Sequence, residues 1–213
     1  MSSKEAFTAQ IDYFSRFYRV TAIDFLGFGN SAPLTSAYSV GDYAEWAKKV
    51  VVALGLEKPH IIAHSFGCRV AVKMVGMDND AFDRVVLTGA AGIIQKRGFV
   101  YRVKVKAYRV CKKFAPKFAE RRFGSKEYRT LSPLQRESYK KIVNEDLRMC
   151  ARAVKNRTLI VQGKADTVTP LESAQIYMQN LPCARMKLID GGHFAFVENP
   201  LTFNLITEEF LYE

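Results

Sequence analysis

The chain has 213 residues, 48% of them hydrophobic and 25% charged, and carries a net charge of +11. That composition is globular and large enough for one core, with no window of eighteen apolar residues and no signal-type stretch in MSSKEAFTAQ, so a soluble cytoplasmic protein is expected. Cys68, Cys111, Cys150 and Cys183 lie far apart with no C-x-x-C and only three histidines beside them, which argues against a disulfide scaffold or a zinc module.

In chain order, Phe7, Ile11 and Phe14 fall at helical spacing, and residues 19–24, RVTAID, read as a strand that stops at Gly27 and Gly29. Ser39, with Asp42 three residues on, predicts the capped start of a helix whose apolar face is Tyr43, Ala47, Val50, Val51 and Leu54, closed by Gly55. Residues 60–64, HIIAH, predict a buried strand, 66–77 a helix and 85–88 another strand. After Gly92 the pattern changes. Residues 96–157 hold 20 basic and 5 acidic residues, whereas the remainder holds 12 and 16, so the basicity belongs to one segment. Within it, Val103, Ala107, Val110, Phe114 and Phe118 recur at helical spacing. From residue 159 the alternation resumes with strand LIVQ, loop GKADTVTP, a helix over 171–180, strand MKLI and a helix over 203–211. Five strands separated by helices predict an α/β fold, a mainly parallel sheet with helices on both faces. Its core is residues 1–93 and 158–213, and residues 94–157 form a basic helical insert.

Chemistry points to the carboxyl ends of those strands. In IIAHSFG, Ser65 stands at a strand-to-helix junction between the small residues Ala63 and Gly67, and the Phe66 N–H lies at a helix N-terminus, where an oxyanion would be stabilised. The plainer reading is that Ser65 is an N-cap. Asp166 follows LIVQ and His193 follows MKLI, so in a parallel sheet all three converge on one edge. Asp190, three residues before His193, is a second acid, and a capping role would also suit Asp166. Other patterns fail. Gly27, Gly29 and Ala32 fit G-x-G-x-x-A, but Pro33 follows and no helix begins there to hold a pyrophosphate. His60 and His64 are four apart on a strand without the glutamate of H-E-x-x-H, and read as structural. Neither a cofactor nor a metal is expected. The row Lys104, Lys106, Arg109, Lys112, Lys113 and Lys117 reads as a solvated helix face, with contact to an anionic substrate or lipid surface as the alternative. No motif of a nucleic-acid module is present.

Through AHSFG, GKADTVTP, GGHF and DFLGFGNS, a D-x-x-G-x-G-x-S pattern, the sequence resembles the α/β-hydrolases over its whole length, in the order Ser, Asp, His. The resemblance implies Ser65 as nucleophile, His193 as base, Asp166 as orienter of the imidazole, Phe66 N–H as an oxyanion donor and the insert as a cap. It implies a cofactor-independent serine hydrolase acting on a small-molecule ester or related acyl bond through an acyl-enzyme. Carbon–carbon bond hydrolysis beside a ketone, thioester hydrolysis and acyl transfer stay open. A serine at position 65 argues against the epoxide-hydrolase and dehalogenase branches, which need a carboxylate. Phe99, Tyr101, Tyr108 and Phe114 imply an apolar pocket under the cap. The family's His-Gly loop, donor of a second oxyanion N–H, has no counterpart here, so the expectation is an N-terminally truncated hydrolase without strands one to three. The strand at 19–24 would then lose its neighbours and leave the sheet open or force it to close up. Cys68 stands where many members have glycine, and packing is the role expected of it. The rival readings are a non-catalytic ligand-binding homologue and an inactive fragment.

Overall fold

The computed structural model describes residues 3–95 and 131–213. Phe99, Tyr101, Tyr108, Phe114, Cys111 and the lysine row at 104–117 lie outside them. Four apolar runs form a parallel sheet in the order β1 (Ile61–His64), β2 (Val85–Thr88), β3 (Thr158–Gly163), β4 (Ala184–Ile189). Ile61 stands opposite Val85, Val85 opposite Thr158 and Thr158 opposite Ala184. The inner strands are apolar along their length because both faces are covered. On one face Val85, Leu87 and Ile160 pack with α2 (Val40–Ala53), α3 (Phe66–Met77), α5 (Arg148–Ala153) and α6 (Leu171–Asn180). On the other, Val86, Leu159 and Val161 pack with Phe14 of α1 (Thr8–Phe14), Phe196 of α7 (Ala195–Glu198), and Phe203 and Phe210 of α8 (Pro200–Tyr212). The period of two along β2 and β3 thus divides the core into two layers.

The helix at residue 40 begins as the sequence predicts. Ser39 Oγ accepts the Asp42 N–H at 3.2 Å and Asp42 Oδ2 accepts the Ser39 N–H at 2.7 Å, a reciprocal cap of about 1 kcal/mol. Gly55, at φ +59°, ends it. The described part of the insert holds α4 (Pro133–Val143) and α5. Both are fastened to the core. Gln135 Nε2 donates to the Gly27 carbonyl at 3.0 Å, buried Arg69 of α3 donates to the carbonyls of Ile142 and Glu145 at 2.8 and 2.9 Å, and Leu147, Ala151 and Val154 are core residues.

One expectation is corrected. Residues 19–24 are not a strand: among the described residues the sheet has four members, and this segment lines the same cavity as β1 without joining the sheet. β-rich sequence is not enough, because a strand exists only by pairing, and no backbone hydrogen bond joins this segment to the other described residues. Among the described residues no strand pairs with β1 on that side. Beyond the segment, the D-x-x-G-x-G-x-S pattern closes a tight loop in which Asp24 Oδ2 accepts the Asn30 N–H at 3.1 Å and Ser31 Oγ donates to the Asp24 carbonyl at 2.6 Å. A Cβ at Gly29, at φ +48°, would overlap the Asp24 carboxylate.

Candidate active site

The chain leaves β1 at His64, turns at Ser65 and enters α3 at Phe66, and that turn holds Ser65 at φ 49°, ψ −111°. A non-glycine residue there stores roughly 1–3 kcal/mol of strain. Of its flanking small residues, Gly67 is not forced by space: an added Cβ would meet Ala63 Cβ at 3.7 Å, an ordinary contact. The loop after β3 carries Asp166 and the loop after β4 carries His193, so the three residues reach one edge of the sheet from three strands.

They meet there. His193 Nε2 lies 3.0 Å from Ser65 Oγ, and His193 Nδ1 lies 2.9 Å from Asp166 Oδ2. The arrangement requires Nδ1–H donating to the carboxylate, which leaves the Nε2 lone pair facing the hydroxyl. The Asp166 side chain is fully buried, and its oxygens are well supplied with donors. Oδ1 accepts the N–H groups of Val168 and Thr169 at 2.8 and 2.9 Å, while Oδ2 accepts the Thr169 hydroxyl at 2.7 Å as well as His193. Burial pushes the Asp166 carboxyl up, but the hydrogen bonds from His193 and Thr169 outweigh it and hold it below the usual carboxylate value. Asp190, the other acid, points outward and pairs with Lys164 at 2.7 Å. The Phe66 N–H, first in α3, has no acceptor among the described residues.

Three neighbours of the site carry weaker sequence signals. Thr169 braces Asp166 and lies 3.2 Å from His193 Nδ1; only its place three residues after the acid in GKADTVTP hints at this. Gln162 Nε2 adds a longer contact to Asp166 Oδ2 at 3.3 Å. His64 packs behind the site: its Nδ1 lies 3.1 Å from the Thr88 carbonyl, its Nε2 is buried without a partner among the described residues, and its ring packs on His193, Phe194 and Phe196. Burial first, then the nearby His193, pushes its pKa down to about 4, so it is neutral. Cys68 is fully buried with Sγ 3.1 Å from the Ala63 carbonyl, and burial pushes its thiol up to about 12, which makes it a packing residue.

Ser65 and His193 open onto a cavity of about 2160 Å³ bounded by described residues, mostly apolar, with Phe66, Leu131 and Ile142 among its walls. At its wall the Lys4 N–H is already taken by Asp24 Oδ1 at 2.7 Å. No helix among the described residues is long and apolar enough to cross a membrane.

Residues 2–100 match the sequence family described as alpha/beta hydrolase fold. The chain is 27% identical to a 2-hydroxymuconate semialdehyde hydrolase of Pseudomonas putida over 92% of its length and 77% of the relative's. Among solved structures it resembles the meta-cleavage product hydrolase of Pseudomonas fluorescens IP01, with a TM-score of 0.75 at 24% identity, covering all of this chain and 86% of that one. An esterase of Exiguobacterium antarcticum gives a TM-score of 0.77 at 21% identity, with coverage of 100% and 88%.

Proposed function

Because this chain belongs to the α/β-hydrolase fold superfamily, we propose that it is a serine hydrolase whose nucleophile is Ser65, whose base is His193 and whose orienting acid is Asp166. The observation that carries the reading is the unbroken contact from Asp166 Oδ2 through His193 to Ser65 Oγ, at 2.9 and 3.0 Å. Ser65 Oγ attacks the substrate carbonyl as its proton passes to His193 Nε2, and the Asp166 carboxylate stabilises the imidazolium that forms. The Phe66 N–H, at the positive end of α3, supports the developing oxyanion. Collapse of the tetrahedral intermediate releases the leaving group with the proton from His193 and leaves an acyl-enzyme. Water then attacks the ester, gives its proton to His193, and frees the acid and Ser65.

A small acyl substrate suits the apolar cavity. The likeness to a 2-hydroxymuconate semialdehyde hydrolase favours a second substrate class among those the family resemblance leaves open, a carbon–carbon bond beside a ketone, handled by the same three residues. The division into a core of 1–93 and 158–213 and a cap of 94–157 is part of the proposal, supported by Leu131, Gln135 and Ile142 at the cavity wall.

The test is covalent. The purified chain treated with a fluorophosphonate probe is expected to gain one adduct by intact mass, at Ser65, and the Ser65→Ala and His193→Ala variants none. A folded protein that takes no label would turn the reading to a non-catalytic ligand-binding homologue.

A further inference from the structure

Arg69 stands one helical turn after Ser65, so α3 brings the two to the same side, about 6 Å apart along its axis. It lines the cavity onto which Ser65 and His193 open, yet it is only 9% exposed. A guanidinium stays charged in a protein, so burying one calls for a compensating partner. The acids nearby are already taken. Glu145 pairs with Lys73 at 2.9 Å and Asp146 pairs with Arg148, which leaves Arg69, the most buried of the three cations, without a carboxylate partner among the described residues. Its donors are only partly used. Nη1 gives its two hydrogens to the carbonyls of Ile142 and Glu145 at 2.8 and 2.9 Å, which fixes the plane of the group, whereas Nε and Nη2 meet no acceptor among the described residues. A neutral amide would hold a carbonyl as well, so the tie to α4 accounts for the Nη1 contacts and not for the charge. Burial pushes the guanidinium pKa below its usual value, the sign of a charge short of partners.

We propose that the Nε–Nη2 edge of Arg69 is a carboxylate subsite of this cavity, and that the substrate is an acyl compound bearing a carboxylate of its own, a monoester of a short dicarboxylic acid being the simplest. Along that edge the Nε–H and one Nη2–H point the same way in one plane, and the two oxygens of a carboxylate match them as a bidentate pair. One carboxylate also balances one guanidinium. A phosphate would bring nearly two charges to a single cation between the apolar walls of Phe66 and Ile142. In such surroundings the ion pair is strong, and a neutral ester of the same size leaves the guanidinium unpaired, so the charge serves discrimination as well as affinity. Held at one end by Arg69, the substrate has its carbonyl kept within reach of Ser65 Oγ one turn away. As a substrate subsite the assignment rests on the serine-hydrolase reading of Ser65; as an anion site it does not, and the experiment separates the two.

The probes are the monobenzyl esters of succinate, glutarate and adipate, each beside its uncharged half-amide of equal size, with release of benzyl alcohol by the full chain as the readout. For the chain length that fits, kcat/KM is expected to be about tenfold or more higher for the acid than for the amide, mostly through KM. That ratio should fall to about one in Arg69→Gln and recover in part in Arg69→Lys, which keeps the charge without the fork. A second measurement leaves Arg69 in place. In Ser65→Ala carrying nitrogen-15 arginine, the matching free diacid should shift the Arg69 Nε–H resonance and the diamide should not. Ratios near one at all three lengths in wild type, a ratio that survives Arg69→Gln, or a diacid that binds without moving the Arg69 resonance, as it would at the lysines of residues 104–117, would each overturn the proposal. If neither the fluorophosphonate nor any ester reacts while the diacid still shifts Arg69, the nucleophile reading falls and the anion site stands.

Discussion

The imidazole of His64 lies 4.6 Å, centroid to centroid, from that of His193, yet only His193 reaches the Ser65 hydroxyl. The two rings are kept apart in role by their surroundings. The Thr88 carbonyl fixes one nitrogen of His64, and burial keeps the ring neutral. Gly89 makes room for both, since a Cβ there would press on His193 Nδ1 and His64 Cε1 at 3.0 Å.

That neutral, buried ring predicts acid sensitivity. The pKa of His64 falls from 6.5 to about 4 on folding, so between those values the unfolded chain binds the extra proton. The stability tied to His64 is therefore complete above pH 6.5 and is lost as pH falls toward 4, by roughly 3 kcal/mol over the window. Half-buried His60 has the same sign, and Asp166, held below its usual value, adds a loss at still lower pH. Urea midpoints at pH 7 and pH 4.5 should separate much less in His64→Asn than in wild type; equal separations would contradict the assignment.

Thr169 tests whether the acid needs its brace. Its hydroxyl donates to Asp166 Oδ2 at 2.7 Å, in a place where solvent cannot substitute. Thr169→Val keeps the shape and removes a donor from a buried carboxylate, at about 1–3 kcal/mol. The fluorophosphonate labelling rate should drop about tenfold or more in Thr169→Val and recover in Thr169→Ser. An unchanged rate in the valine variant would show that the backbone donors at 168 and 169 suffice.

Two glycines near the site should behave oppositely. A Cβ at Gly163, the last residue of β3, would collide with the backbone carbonyl oxygens of Gly192 and Gly191, which hold the loop bearing His193. Gly163→Ala is expected to cost on the order of 2–4 kcal/mol and to abolish labelling. Gly67 is helical with room for a methyl group, so Gly67→Ala should cost nothing and add up to about 1 kcal/mol of helix stability. Thermal unfolding of both variants reads the difference.

Ser65, Asp166 and His193 were legible because each follows a short apolar run, and strand order in a parallel sheet carries such loops to one edge. Their braces were not: nothing local to HIIAH says that His64 packs on a residue 129 positions later, and Thr169 matters only once Asp166 is buried. RVTAID failed for a related reason, since its residues favour a strand but pairing is decided by what lies alongside. The ties from Arg69 and the Gly27 carbonyl to the segment around α4 also join residues distant in sequence, and no spacing rule could expose them.

The backbone at Ser65 sets folding and chemistry against each other at a single position. Glycine tolerates positive φ without a Cβ penalty, so Ser65→Gly should be more stable than wild type by roughly 1 kcal/mol, whereas Ser65→Ala keeps the strained turn and should gain little. Chemical denaturation of the three proteins decides it. If the order holds, selection for stability alone would discard the Ser65 hydroxyl early, and its presence at that turn records a demand other than folding.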